Sequence, residues 1–154
     1  EDLHLLAHEK IAQILLDASL ISNTSIEEAI TTGMTKVFCP HGLGHHLGLQ
    51  VHDVGGHQIN EKGESPPLSN QFPNLRLTRA LRLDEVITIE PGLYFIPLLF
   101  KEERGGPRSE KFNWDLIDQL TPLGGIRIED NLVVQKDGSQ NITRKFMNNN
   151  SYFI

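Results

Sequence analysis

Three groups of residues in this chain have the types and spacing of a chemical site. The first is the stretch Phe38-Cys39-Pro40-His41-Gly42-Leu43-Gly44-His45-His46-Leu47-Gly48-Leu49-Gln50-Val51-His52-Asp53-Val54-Gly55-Gly56-His57, which holds five of the seven histidines. Glycines at 42, 44 and 48 would each cost a helix about 1 kcal/mol relative to alanine, so together they predict an irregular backbone that can approach another segment closely. Leu49, Val51 and Gly55 then predict an extended exit. Histidine is the commonest metal ligand and a frequent general acid or base. The second and third groups are single carboxylates, Glu90 and Glu129, each set in a run of β-branched residues. Burying such a charge costs several kcal/mol unless a cation or hydrogen-bond donors compensate, so each needs a partner.

A neutral imidazole with two strand carboxylates makes a mixed nitrogen and oxygen set suited to Mn²⁺, Zn²⁺, Co²⁺ or Fe²⁺, and oxygen-rich sets of this kind are common in two-metal hydrolytic sites. Three ligands hold two ions poorly, and no third acidic residue sits in a comparable strand. Asp53, directly after the histidines, reads as a residue that orients a ligand. Competing motifs fail on spacing. His41 and His45 are four apart, as on a zincin helix, but no Glu follows His41 and glycines occupy 42 and 44. Gly42, Gly44 and Gly48 are one residue too long for a dinucleotide fingerprint. Cys39 beside a proline reads as packing rather than as a nucleophile.

The elements that must position these groups are legible in outline. Leu3, Leu6, Ala7, Ile11, Ile14, Leu15 and Ala18 recur at helical spacing and predict an amphipathic helix over residues 2 to 20 that covers a sheet. His4 and His8, four apart on that helix without a third ligand, read as part of its solvated face. Ser25 and Glu28 have capping-box spacing and open a short helix stopped at Gly33. Residues 58 to 74, with Pro66, Pro67 and Pro73, read as a long surface loop. From Glu85 to Ile96 a strand alternates, with Val86, Thr88 and Glu90 on one face and Ile87 and Ile89 on the other. Residues 101 to 111, with Gly105-Gly106-Pro107, read as an excursion, and Asn113 caps a helix through Trp114, Ile117 and Leu120. Pro122 to Gly125 is a turn before a second strand, Ile126 to Val134, with Arg127 and Glu129 on one face. The tail from Lys145, with Asn148, Asn149 and Asn150, reads as an exposed end.

The chain has 154 residues, is 38% hydrophobic and carries a net charge of −6. That is enough for one ordinary domain with its own core, and no apolar run is long enough to span a membrane. The charge argues against nucleic acid, since Arg76, Arg79 and Arg82 are balanced by Asp84 and Glu85. A single cysteine excludes an internal disulfide and fits a reducing cytoplasm. The start at Glu1, without an initiator methionine or signal core, reads as a cut inside a longer protein.

Phe38 to Gly56 (FCPHGLGHHLGLQVHDVGG), Thr88 to Ile96 (TIEPGLYFI) and Gly124 to Asn131 (GGIRIEDN) resemble the C-terminal catalytic part of the proline-specific metallopeptidases with the pita-bread fold, the creatinase and methionine aminopeptidase superfamily. The likeness extends over nearly the whole chain. The His45-His46 pair and Leu75-Arg76-Leu77-Thr78-Arg79 look more like its Xaa-Pro dipeptidases, or prolidases, than its aminopeptidase P enzymes. The resemblance implies an α+β fold, helices on a curved and mostly antiparallel sheet. It implies hydrolysis of Xaa-Pro dipeptides by a water activated between two divalent metal ions, usually Mn²⁺. His45, Glu90 and Glu129 become metal ligands, with Glu90 also moving protons and Glu129 bridging both ions. His41 and His52 become pocket residues, with His52 stabilising the scissile carbonyl. Arg127 orients the ligand shell, and Arg76 receives the dipeptide's carboxylate. Relatives add two aspartate ligands from an upstream strand pair and an N-terminal domain, both absent from residues 1–154. The chain is therefore expected to be inactive alone, in a cytoplasmic protein for which a homodimer is allowed. An aminopeptidase P-type exopeptidase and a catalytically silent peptide-binding module are the other readings.

Overall fold

The computed structural model describes residues 1–65, 67 and 69–149, with the side chains of 148 and 149 left aside, and divides the chain into two compact units. Pro66 in the expected loop and Asn150 in the expected tail lie outside the described residues.

One unit is formed by residues 2–41 and 92–127. It contains helices α1 (Asp2–Asp17), α2 (Ile26–Thr31), α3 (Met34–Phe38), α4 (Pro97–Gly105) and α5 (Trp114–Leu120), and strands β2 (Gly92–Tyr94) and β3 (Gly125–Arg127). Local chemistry places several of these boundaries. The Ser25 hydroxyl accepts from the Glu28 N–H at 3.0 Å and starts α2, while the Asn113 side chain accepts from Leu116 N–H and starts α5. Gly33, at φ +80°, lets the chain turn from α2 into α3. The core gathers on Phe38, whose ring meets Phe95 and Phe100 edge-on and stacks near Phe112, with Leu15, Ile21, Met34 and Ile117 fully buried around it. Strands β2 and β3 pair antiparallel, Gly92 opposite Arg127.

Two expectations fail in this unit. The buried face of α1 is His4, His8, Ile11, Ala12 and Leu15, while Leu3, Leu6 and Ile14 stay about half exposed. His4 and His8 are therefore interior, not solvated. The cause is Thr35 of α3, whose hydroxyl meets His8 Nδ1 at 2.8 Å and gives that imidazole a buried partner. Burial pulls His4 down to about 3, with the nearby His8 adding to the effect. It pulls His8 down to about 4, with Lys36 and His41 adding to it. Second, Pro97 at the first turn of α4 starts a helix over residues placed partly in the irregular excursion.

The other unit holds Glu1, residues 42–91 and the chain from Ile128. Its sheet has the order β1-β4-β5, from β1 (Val86–Ile89), β4 (Asp130–Gln135) and β5 (Gly138–Asn141), and α6 (Ile142–Asn149) follows. Both pairings are antiparallel, with Val86 opposite Val133 and Gln135 opposite Gly138. The two long strands expected from sequence are thus each shorter, interrupted at Glu90-Pro91 and at Ile128-Glu129. Proline has no N–H for a ladder, which accounts for the first break. The expected tail is in part the helix α6. Among the described residues no helix is long and apolar enough to cross a membrane.

Candidate metal centre

β1 is flanked on one side by β4 and on the other by the histidine stretch, whose backbone runs along it. Leu47 N–H donates to Val86 O at 3.0 Å, Thr88 N–H to His45 O at 2.9 Å and Glu90 N–H to Leu43 O at 2.7 Å. Gly44 permits this approach: a Cβ there would lie 1.9 Å from the Thr88 carbonyl oxygen. The extended part of the stretch therefore precedes Gly48. After it the chain folds tightly, with Gly48 N–H on Gln50 O and Asp53 N–H on His46 O, so the expected extended exit is not formed. Asp53 caps the 3₁₀ turn Val54–His57, accepting from Gly55 N–H at 2.8 Å.

This arrangement sets His45 against Glu90. Thr88 joins them: its hydroxyl accepts from His45 N–H at 3.0 Å and donates to Glu90 Oε1 at 3.1 Å. One step past the last β1–β4 pair, Ile89 with Asp130, the same register brings Glu90 opposite Glu129, and Ile128 N–H still reaches Pro91 O at 3.2 Å. Each of His45, Glu90 and Glu129 then offers one ligand atom, all within 4.8 Å of one another; His45 and Glu90 are buried and Glu129 is exposed.

The donor set fits a divalent cation. His45 Nδ1 lies 3.0 Å from the His46 carbonyl, which can only accept, so Nδ1 is the donor of this contact. His45 Nε2 faces Glu90 Oε1 at 3.2 Å. A metal ion would take the place of a proton between these two atoms, and a histidine fixed through its other nitrogen is the usual form of a metal-ligating imidazole. His52 is exposed and its ring meets that of His45 edge-on, centroids 4.4 Å apart. Arg76 is exposed, in a segment so close to the 3₁₀ turn that a Cβ on Gly56 would lie 2.1 Å from the Arg76 carbonyl.

His41 and Arg127 belong to the other unit. There the His41 ring nitrogen Nε2 is 2.9 Å from the Tyr94 hydroxyl, and Arg127 is exposed on β3. Sequence reasoning gave no role to Thr88, although it shares the Glu90 face. It also missed that the balance of Arg79 and Glu85 is a direct ion pair, Arg79 Nη2 to Glu85 Oε1 at 2.6 Å.

The profile of metallopeptidase family M24 matches residues 2–136, and the chain belongs to that family. Its mixed helix and antiparallel sheet is the α+β, pita-bread fold of that class. Over 144 residues, 94% of this chain, it is 49% identical to the Xaa-Pro dipeptidases of Aeromonas hydrophila and Shewanella oneidensis. It spans 32% and 33% of their lengths, about a third. Among solved structures it is similar to Zn-substituted Escherichia coli aminopeptidase P in complex with product, at 28% identity and TM-score 0.55, covering 90% of this chain and 24% of that one. Pseudomonas aeruginosa aminopeptidase PepP is similar at 26% identity and TM-score 0.56, covering 89% and 24%.

Proposed function

We propose that residues 1–154 are the C-terminal part of a pita-bread catalytic domain, and that the complete polypeptide hydrolyses Xaa-Pro dipeptides with two divalent metal ions, most simply Mn²⁺. The observation that carries the reading is the meeting of His45, Glu90 and Glu129 within 4.8 Å, in a chain 49% identical to Xaa-Pro dipeptidases. These three side chains would hold the ions, together with ligands from outside the chain. Ions bound there would lower the pKa of water and polarise the carbonyl before proline.

The remaining work falls to side chains. Thr88 holds Glu90 Oε1 in place, so the Glu90 carboxylate is set to take a proton from the attacking water and return it to the proline nitrogen as that nitrogen leaves. His52, exposed beside His45, donates to the carbonyl oxygen as it gains negative charge. The Arg76 guanidinium pairs with the substrate's terminal carboxylate. His41 and Arg127 are proposed as further substrate-binding residues on the strength of the resemblance alone. The chain has a single cysteine, the buried Cys39, which supports a reducing cytoplasmic setting.

The likeness to solved aminopeptidase P structures supports a second reading, in which longer Xaa-Pro peptides are cleaved. Hydrolysis of Ala-Pro and of Ala-Pro-Ala by the complete polypeptide in Mn²⁺ separates the two. The first reading expects turnover of the dipeptide only. Cleavage of the tripeptide supports the second, and peptide binding without hydrolysis of either would leave a silent binding module.

A further inference from the structure

Behind the candidate metal centre, within the same unit, lies a charged group that the proposed chemistry does not use. Glu85 stands one residue before β1. Its Oε1 pairs with Arg79 Nη2 at 2.6 Å, and the two side chains are only 15% and 11% exposed. Glu85 Oε2 accepts from the Arg82 N–H at 2.9 Å and lies 3.7 Å from His46 Nε2, a buried nitrogen with no hydrogen-bond partner among the described residues. From its other side the same guanidinium donates through Nε to Gly55 O at 3.0 Å. The N–H groups of Thr78 and Arg79 both reach Gly56 O, and His57 Nδ1 meets the Thr78 hydroxyl at 2.9 Å. One ion pair is thus joined both to the residue after His45 and to the turn that follows His52.

The consequence runs through the His46 backbone. Its carbonyl accepts from His45 Nδ1 at 3.0 Å and from Asp53 N–H at 3.1 Å, so the orientation of the His45 imidazole follows the position of His46. Buried ion pairs roughly break even against apolar replacements in stability. A pair in this place has geometry to supply.

We propose that Arg79 and Glu85 are positioning residues for the metal centre: their ion pair packs against the side chain of His46, whose carbonyl orients His45, and fixes the turn behind His52. This rests on the assignment of His45 as a metal ligand. Residues that orient a ligand in this way typically change metal affinity by about 10- to 100-fold.

The test is calorimetric titration of the metal-stripped complete polypeptide with MnCl₂. It compares wild type with Arg79→Lys, with the double variant Arg79→Met/Glu85→Leu, with that double variant carrying His46→Gln as well, and with His45→Ala. Weaker Mn²⁺ binding by about 10- to 100-fold in Arg79→Lys and in the double variant is expected, with no further loss when His46→Gln is added, because both act through one path. A pair that is merely structural lowers the melting temperature but leaves the Mn²⁺ affinity of the folded protein within about twofold, and that result overturns the proposal. Arg79→Lys decides the matter by itself if the double variant does not fold. Unchanged affinity in His45→Ala instead removes the ligand assignment, and the positioning role with it.

Discussion

Glu90 and Glu129 face one another across the end of the β1–β4 ladder, one residue beyond the Ile89–Asp130 pair. Residues directly opposed in an antiparallel pair project from the same face, and like charges placed so destabilise the strands. A cation held between them would turn that repulsion into a binding site. In the complete polypeptide, Glu129→Gln is therefore expected to leave the metal-free melting temperature unchanged or raise it slightly, by no more than about 1 kcal/mol of stability, while abolishing the rise expected of wild type on adding Mn²⁺. Thermal melts with chelator and with MnCl₂ check both halves. An equal metal-induced rise in the variant would mean that Glu129 is not a ligand.

Gly44→Ala tests how the histidine stretch reaches β1. The new methyl would sit 1.9 Å from the Thr88 carbonyl, so the arm must move away and lose its bonds, at a cost of about 1–3 kcal/mol. Gly105→Ala is the control, because nothing lies within 4 Å of a Cβ there. Urea midpoints should fall for the first and hold or rise for the second.

Stability should fall with acid through His4 and His8. Their folded values, about 3 and about 4, lie below the ordinary 6.5, so between those limits the unfolded chain binds protons that the folded chain refuses. The contribution is complete above pH 6.5 and is lost as pH drops towards 4, by up to about 1.4 kcal/mol per pH unit for each ring. His8→Gln, which keeps a polar group for Thr35 but no titrating site, should flatten the slope of unfolding free energy between pH 6.5 and 5. Parallel slopes for the two proteins would show His8 already charged in the fold.

Arg76→Ala in the complete polypeptide should lower kcat/KM for Ala-Pro by about 10- to 150-fold, the worth of a charge-assisted contact of 1.5 to 3 kcal/mol. The amidated substrate Ala-Pro-NH₂ lacks the charge and should be hardly affected. Equal losses on both substrates, or none on either, exclude a carboxylate-binding role.

Much of the site could be read from residue order because it depends on local periodicity. Alternation of two placed Glu90 on the face of Thr88, and the density of glycine around His45 signalled the close approach made at Gly44. The caps at Ser25 and Asn113 were legible for the same reason. What was not legible depended on distant partners. Helix α1 offers two overlapping stripes, Leu3 with Leu6 and Ile14 or His4 with His8 and Ile11, and the choice is made by Thr35, 27 residues from His8. The Arg79–Glu85 pair was visible as a charge balance, but its place beside His46 depends on the histidine stretch folding onto β1. The Pro97 start of α4 was readable in principle and was hidden by the charged, glycine-rich run after it.

The most direct test of the metal centre is a count of bound ions by mass spectrometry of the complete polypeptide, as wild type, His45→Ala and His52→Ala, each loaded with Mn²⁺ under the same conditions. A ligand role for His45 and a substrate role for His52 predict two ions per chain in wild type, depleted occupancy in His45→Ala, and near wild-type occupancy in His52→Ala. The same metal content in all three, or equal loss in both variants, would contradict it.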